Sequence, residues 1–339
     1  MKYNLAVFIG RFQPPHIGHI KTIEYALEKA DRLLLILGDY KSARSIKNPF
    51  FVEERKSMIL GAIDPSLHDK IIVESVRNYP YNDNLWVVNI QRKVQENSEG
   101  KICIVGNYKD SSSYYLNLFP QWDFITPPFV KGIHATDIRE IFFSNIKFEE
   151  NQDIQANLHS STVEYLKDFQ TSENFNNLEE EFKYIEKYKS LWKDAPFPPT
   201  FVTVDSVVIK SGHILIVKRR GNPGKGLYAL PGGFLMHTET TKDGAVRELI
   251  EETGIKVHKM ELKKLIKEEK VFDKPDRSVR GRTITHAFFI DLGSGELPKV
   301  KGSDDAEKAI WVPISDLYLN MENFFEDHFA IIEYFIYKV

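Results

Sequence analysis

The sequence predicts an α/β protein of two domains, a doubly wound parallel sheet followed by a β-rich domain with two clear helices. Three observations predict it. Residues 1–126 alternate short apolar runs with amphipathic ones, the pattern of strands joined by helical crossovers. From residue 201 the pattern turns β-rich. Between the two, Lys193-Asp194-Ala195-Pro196-Phe197-Pro198-Pro199 carries three prolines, which make an extended and stiff spacer. The domains are therefore drawn at 1–192 and 201–339, with a linker at 193–200. At 339 residues, each part is long enough for its own core.

Composition narrows the function classes. Hydrophobic residues make up 42% and charged residues 27%, ordinary for a globular chain in water. A net charge of −3 and the lack of a basic stripe disfavour nucleic-acid binding. The one cysteine, Cys103, excludes an internal disulfide and points to a reducing compartment. It sits in the apolar run 101–105 and reads as a small core residue rather than a nucleophile. The chain starts straight into the strand-like LAVFIG, without a signal-peptide layout. Its richest apolar run, 33–37, is strand-sized. The expectation is a cytoplasmic protein with no membrane partner. Its oligomeric state, a homo-oligomer included, is left open.

In the first domain, strands are expected at 5–9, 33–37, 71–76, 102–105 and 122–125, and helices at 20–30, 53–62, 84–95 and 111–118. Ligands of such sheets bind beyond the carboxyl ends of the strands. The first of these ends carries Gly10-Arg11-Phe12-Gln13-Pro14-Pro15-His16-Ile17-Gly18-His19. Gly10 allows a sharp exit from the strand. His16 and His19 flank Gly18, and His19 opens a helix whose N-terminal N–H groups attract phosphate. With Arg11, two imidazoles suit a polyphosphate and the charge that develops when it is cleaved. The bland alternative is one histidine as a cap and the other as a satisfied core residue.

Later strand ends are weaker signals taken singly. Gly38 to Arg44, then Lys47-Asn48-Pro49-Phe50 and Glu53-Glu54-Arg55, read alone as a solvated basic loop before a helix. Asn84 and Trp86 open the next helix, where an aromatic is ordinarily core. Gly132-Ile133-His134-Ala135-Thr136-Asp137-Ile138-Arg139 enters another helix after the fifth strand. Residues 145–192 are polar, with helical spacing at 163–169 and 178–192.

Together these segments resemble the HIGH-type adenylyltransferase superfamily, and within it the archaeal-type nicotinamide mononucleotide (NMN) adenylyltransferases. The resemblance implies a Rossmann-like nucleotidyltransferase domain with ATP as substrate. It implies catalytic roles for His16, His19, Arg11 and Arg139, and ligand contacts at Gly10, Phe12, Gly18 and Asn48. Asn84 and Trp86 would meet the nicotinamide end, and Thr136, Ile138 and Arg139 would hold ATP. The sequence departs from the pattern at His134, where the family usually has Ser.

In the second domain, strands are expected at 201–209, 214–219, 256–271, 283–290 and 309–312, and helices at 241–253 and 324–337. The densest chemistry lies in GFLMHTETTKDGAVRELIEETGI. Gly233 is followed after five residues by Glu239, and after seven more by Arg247-Glu248, then Glu251-Glu252. Glu248, Glu251 and Glu252 fall on neighbouring rows of one helix surface, where they repel one another unless a hard cation sits among them. Arg247 and Glu239 can tie loop to helix by a charge-assisted hydrogen bond. Arg219, and the group Arg277, Arg280 and Arg282 around Gly281, are either surface charge or phosphate ligands.

The spaced Gly, Glu, Arg and Glu set resembles the signature of the Nudix hydrolases, which implies an α/β/α sandwich. It implies a divalent metal, Mg²⁺ with Mn²⁺ as the alternative, at Glu248, Glu251, Glu252 and Gly232. Glu248 and Glu252 would be catalytic, with Arg219 and Arg282 on the substrate. A further acid from Asp304, Asp305 or Glu307 is implied, without a choice among them. Over the whole chain the resemblance is to bifunctional NMN adenylyltransferase/Nudix hydrolases, with ATP, NMN and ADP-ribose as small-molecule substrates. Two rivals differ from this. The first domain could serve another phosphate substrate such as phosphopantetheine, and the second could be a ligand sensor without turnover.

Overall fold

The structure is a computed structural model and describes residues 2–108, 111–130, 134–144 and 147–336. Gly132 and Ile133 lie outside the described residues. The chain divides into two compact units, residues 1–180 and 181–339.

The first unit runs β1 (Tyr3–Gly10), α1 (Ile17–Lys29), β2 (Ala30–Leu37), α2 (Val52–Gly61), β3 (Ile71–Ser75), α3 (Asp83–Asn97), β4 (Ile102–Val105) and β5 (Asp123–Ile125). Four helices follow: α4 (Ala135–Ser144), α5 (Gln152–Asn157), α6 (Ser160–Gln170) and α7 (Glu173–Ser190). The five strands pair in parallel in the order β3-β2-β1-β4-β5. Both faces are covered, which is why the strand sequences are apolar throughout rather than alternating. In β2, Leu33, Leu35 and Leu37 pack with Ile20, Ile23 and Ile59 from α1 and α2. Their neighbours Leu34 and Ile36 pack on the opposite face with Ile90 and Val94 of α3. The expected doubly wound sheet is present. Residues 111–118, expected as a helix, form a 3₁₀ helix instead.

The second unit runs β6 (Thr200–Lys210), β7 (His213–Arg219), β8 (Tyr228–Ala229), β9 (Gly232–Phe234), α8 (Thr241–Thr253), α9 (Lys259–Lys264), β10 (Ile266–Phe272), β11 (Arg282–Asp291), β12 (Ala306–Pro313), α10 (Ile314–Leu317) and α11 (His328–Ile336). The sheet order is β10-β11-β6-β7-β12, with β8 on β7 and β9 on β6. Only β6 and β11 pair in parallel. On one face, Val246 and Leu249 of α8 pack with Val208, Leu215 and Val217. In β11, Phe288 packs on that same side with Ala245, while its neighbour Phe289 stacks on Phe335 of α11 at 5.8 Å. Alternate side chains of one strand thus serve two helix layers, and the fold is the expected α/β/α sandwich.

Three differences from the sequence expectation have physical causes. Residues 256–271 are not one strand. His258 caps a helix by accepting the Met260 N–H (3.2 Å), and the helix formers of 259–264 make a turn and a half before β10 begins. The last helix starts at His328 rather than 324, because the Phe325 N–H is committed to the Tyr228 carbonyl (2.8 Å) and Glu326 has a positive φ of 45°. The division between units falls inside α7. There the buried Glu181 carboxylate accepts the Gly224 N–H at 2.7 Å, so the later part of α7 belongs with the second unit. Among the described residues, no helix is long and apolar enough to cross a membrane.

Helix α8 is closed at both ends. Thr240 caps its start by accepting the Asp243 N–H (3.2 Å). At its end Gly254 turns left-handed (φ 56°), and the Lys301 and Ser303 N–H groups bond the Thr253 and Glu252 carbonyls at 2.8 and 3.2 Å. A Cβ at Gly254 would meet only the Lys301 carbonyl, at 3.4 Å, so backbone conformation is the main obstacle there. Gly254→Ala should therefore cost about 1–2 kcal/mol, seen as a lower thermal midpoint of the second unit. An unchanged midpoint would contradict the capping role.

Candidate active sites

At the carboxyl end of β1 the chain enters a loop whose main chain is held from several directions. Arg55 of α2 is fully buried, and its Nη1 donates to the carbonyls of Arg11 (2.6 Å) and Gly38 (2.8 Å). Its Nε donates to the Phe51 carbonyl at 3.4 Å. The Gln13 side chain exchanges two hydrogen bonds with the main chain of Phe50, at 2.8 and 3.0 Å. Arg139 of α4 donates to the Gln13 carbonyl (2.7 Å) and the Thr136 hydroxyl (3.2 Å). The loop 10–19, the segment 48–55 and the helix start at 135–139 are thus one hydrogen-bonded unit.

The electrostatics of this unit favour an anion. Burial pulls the guanidinium pKa of both Arg55 and Arg139 down to about 10, and the neighbouring Arg11 charge adds to the fall at Arg139. The His16 and His19 rings stack 3.7 Å apart. His19 Nδ1 accepts the His16 N–H at 3.2 Å, so a neutral His19 carries its proton on Nε2 and donates from there. Phe12 supports His19 edge-on at 4.8 Å. A Cβ on Gly10 would strike the Phe12 ring at 2.8 Å, and one on Gly18 would crowd the His16 ring at 3.0 Å.

Other expected residues of the first unit take varied places. The side chains of Phe12 and Ile138 are buried, so whatever they offer a ligand is main chain. Asn48 holds its amide within 3.2 Å of the Asp39 carboxylate. Asn84 is exposed on the first turn of α3. Trp86 is half-buried and meets the Tyr115 and Phe119 rings, each at 5.9 Å, so it is at least partly a core residue. The His134 N–H donates to Asp137 at 2.8 Å, which closes the start of α4.

In the second unit, Arg247 is the hub. It donates to both oxygens of Glu239 (3.0 and 2.7 Å), to Glu248 (2.8 Å), to Glu251 (2.9 Å) and to the Phe234 carbonyl (3.3 Å). The expected tie between loop and helix is present. Glu252 accepts the Gly232 N–H at 2.9 Å, and burial raises its pKa to about 8. Burial also raises Glu248, and the Asp304 charge adds to that rise. Gly233 lies so close that a Cβ there would sit 2.6 Å from the Glu248 carboxylate. Among the described residues, no three acidic, histidine or cysteine side chains converge closely enough to hold a metal ion as they stand, since Arg247 binds Glu248 and Glu251. The donor chemistry nonetheless suits a hard divalent cation: carboxylate oxygens gathered on one helix face, two of them on side chains that burial makes costly to ionise alone.

The three late acids separate in space. Glu307 pairs with Lys218 at 3.1 Å, and the Asp305 carbonyl accepts the Arg220 N–H at 3.0 Å. Asp304 is the one whose charge is felt at Glu248. The arginines separate as well. Arg277 is held by the buried Asp327 through two bonds of 2.8 Å, so its fork is not available for phosphate. Arg282 donates to the Asp273 carbonyl. Arg219 lies over the Phe325 ring at 4.2 Å and donates to the Pro223 carbonyl at 2.9 Å. Arg280 lies over the Phe234 ring at 5.2 Å, beside the signature loop.

Several contributors act in ways that the sequence did not assign to them. Gln13 and Arg55 bind main-chain carbonyls, which no side-chain spacing reveals. Asp205 is buried beside Gly232 and accepts from Thr285 at 2.5 Å. His328 accepts the Leu230 N–H on Nδ1 at 3.0 Å, and burial drives its pKa down to about 3.

Residues 7–141 match a family described as cytidylyltransferase-like, and residues 199–335 match the NUDIX domain. A nicotinamide/nicotinic acid mononucleotide adenylyltransferase of Acinetobacter baylyi is 35% identical over 185 residues, 54% of this chain and 95% of its own. An ADP-ribose pyrophosphatase of Methanocaldococcus jannaschii is 38% identical over 135 residues, 40% of this chain and 75% of its own. A crystal structure of a bifunctional NMN adenylyltransferase/ADP ribose pyrophosphatase from Francisella tularensis, complexed with AMP and a Mn ion, superposes with a TM-score of 0.90. It is 38% identical and covers 99% of both chains.

Two outcomes follow from this geometry. Arg55→Met should lower NAD formation at least about tenfold, since the main chain at Arg11 and Gly38 loses its buried donor, while ADP-ribose cleavage by the same chain stays unchanged. Equal loss of both activities would mean general misfolding instead. For His328, the unfolded chain takes up a proton near pH 6.5 but the folded one only near pH 3. The unfolded state binds more protons between these values, so stability should fall as pH drops from about 6.5 towards 3. A His328→Gln variant, which keeps an acceptor for Leu230, should show a shallower fall in thermal midpoint. Identical slopes would contradict the neutral, buried imidazole.

Proposed function

The chain belongs to the bifunctional NMN adenylyltransferase/ADP-ribose pyrophosphatase family, and from that membership we propose how its two units divide the chemistry. The first unit joins ATP and NMN, giving NAD and pyrophosphate. The second cleaves ADP-ribose with water, giving AMP and ribose 5-phosphate. The observation that supports the first assignment is the cross-linking of three distant segments around the carboxyl end of β1 by Arg55, Gln13 and Arg139, on the loop that carries the stacked His16 and His19 rings and an Arg11 charge felt at Arg139.

In adenylyl transfer, a phosphate oxygen of NMN attacks the α-phosphorus of ATP, and the bond from that phosphorus to the bridging oxygen of pyrophosphate breaks. The protein's share is positioning and charge stabilisation. In our reading, His19 donates from Nε2 to a phosphate oxygen, and His16 holds the stacked ring in place. Arg11 and Arg139 meet the growing negative charge, and the N-terminus of α1 adds main-chain N–H groups. Asn84 and the exposed part of Trp86 are assigned to the nicotinamide end.

In the hydrolase, Glu248, Glu251 and Glu252, with the Gly232 main chain beside them, would hold the divalent cation, Mg²⁺ or Mn²⁺. A bound cation supplies a polarised water and neutralises the diphosphate. Arg247 keeps the carboxylates of α8 and the loop carrying Phe234 in one arrangement. Turnover is preferred over a sensing role because every carboxylate of the signature is present, with Glu239, Glu248 and Glu251 oriented by that hub and Glu252 by the Gly232 N–H. The oxygen of water bonds to one phosphorus, the bond from that phosphorus to the bridging oxygen breaks, and the proton that water loses passes to the departing phosphate or to solvent.

The two units supply each other's control. His19→Ala should lower kcat for NAD formation about 10²–10³-fold and leave ADP-ribose cleavage intact. Glu252→Gln should do the reverse, with a raised metal requirement. Both products are measured by chromatography from one preparation of each variant. Loss of both activities in one variant, or of neither, would contradict the division of labour.

A further inference from the structure

The segment between β2 and α2 has no regular structure, yet of residues 38–51 only Tyr40 and Phe51 are exposed. Its middle is a compact turn. Ser45 and Asn48 exchange main-chain hydrogen bonds at 3.2 and 3.1 Å, and the Ser45 hydroxyl accepts the Asn48 N–H at 3.1 Å. Arg44 closes this turn from outside, donating to the Pro49 carbonyl. Its guanidinium also forks onto the Glu54 carboxylate of α2, at 2.8 and 3.1 Å, and both side chains are largely buried. The same carboxylate accepts the Phe51 N–H at 2.5 Å and bonds with the Tyr165 hydroxyl of α6. The guanidinium lies over the Phe51 ring at 3.9 Å and over the Phe169 ring of α6 at 5.3 Å. Phe169 and Tyr165 in turn meet the ring of Phe50, at 5.1 and 6.1 Å.

To fasten α6 to α2, apolar side chains would serve at least as well, because the cost of desolvating two charges offsets most of their attraction. What the ion pair adds is geometry. A guanidinium fork fixes direction as well as distance, and its flat face stacks on rings. The stretch so fixed is the turn that carries Asn48, whose amide is within 3.2 Å of the Asp39 carboxylate. Just beyond the turn, the Phe50 main chain is bound to Gln13, on the loop of His16 and His19. Arg44 thus sets one end of the turn and Gln13 the other.

We propose that Arg44, braced by Glu54, Tyr165 and Phe169, is a positioning residue for adenylyl transfer, which sets the 45–49 turn, and with it Asn48, against the loop that carries His16 and His19. The proposal rests on the adenylyltransferase reading above and adds what holds Asn48 in place. It also makes α6 part of that site's support, although α6 lies beyond the matched residues 7–141.

A double-mutant cycle tests it, with NAD formation measured on the full chain with Mg²⁺, well below the thermal midpoint. Asn48→Ala identifies, by the KM that rises, whether Asn48 meets ATP or NMN. Arg44→Met should raise that same KM about tenfold, since binding must then order the turn, with kcat little changed. The double variant should be no worse than the poorer single one, because both changes act through one contact. Arg44→Lys keeps the charge but not the fork, so it should resemble Arg44→Met. Tyr165→Phe removes only a hydroxyl and should raise the same KM about threefold. A circular dichroism spectrum matching wild type reports that each variant is folded. Unchanged KM values with a lowered thermal midpoint, or additive effects in the double variant, would overturn the proposal, as would an Asn48→Ala variant with both KM values unchanged. If the wild-type chain forms no NAD, the adenylyltransferase reading fails, and the role of Arg44 is judged by hydrogen exchange instead. Arg44→Met should then speed exchange of the Ser45 and Asn48 amides and leave those of β1 unchanged, and unaltered exchange at 45–48 would overturn it.

Discussion

A buried guanidinium must surround itself with oxygen atoms, and that requirement organises both halves of the chain. In the first unit the oxygens are main-chain carbonyls. Arg55 takes those of Arg11 and Gly38, at the ends of two neighbouring strands, and Arg139 takes that of Gln13. Carbonyls satisfy the donors without neutralising the charge. The site therefore keeps net positive character while its backbone is fixed, which suits a loop that handles phosphates. A carboxylate in the same place would hold the loop equally well and cancel the field.

In the second unit the oxygens are carboxylates, around a partly buried Arg247 and a buried Arg277. Arg247 gathers Glu239, Glu248 and Glu251, and Arg277 is matched by Asp327. Burial outweighs the available positive charge at Glu248 and Glu252, so their pKa values rise and their ionised forms are left costly until a cation joins them. These are the side chains assigned to the cation. The contrast accounts for opposite chemistries in one chain: fixed positive charge for anion transfer, and desolvated negative charge that a divalent cation relieves.

Much of this was legible in the sequence where a feature depends on side-chain period or spacing. The run 33–37 is apolar at every position because β2 is covered on both faces, and the signature helix was placed at Thr241–Thr253, as observed. The tie between Glu239 and Arg247 followed from residue type and distance along the chain. What stayed hidden depends on partners far away in sequence. Arg277 read equally as surface charge or as a phosphate ligand, and it is neither, because Asp327, fifty residues on, holds it in a buried pair. Arg282 and Arg280 are two residues apart, yet one donates to the Asp273 carbonyl while the other lies over Phe234. Glu181 sits in a run of three glutamates that reads as solvated, but it is buried on Gly224. Arg55 and Gln13 act on backbone atoms, which carry no sequence identity.

The central claim is that one chain houses an anion-transferring site and a separate cation-dependent hydrolytic site. The most direct measurement is product analysis of the unmodified protein, given ATP with NMN and, in a second reaction, ADP-ribose, each with Mg²⁺ and with a chelator. The account predicts NAD and pyrophosphate from the first, and AMP and ribose 5-phosphate from the second, the second pair lost with the chelator. Absence of either product pair with Mg²⁺, or ADP-ribose cleavage undiminished by the chelator, would contradict it.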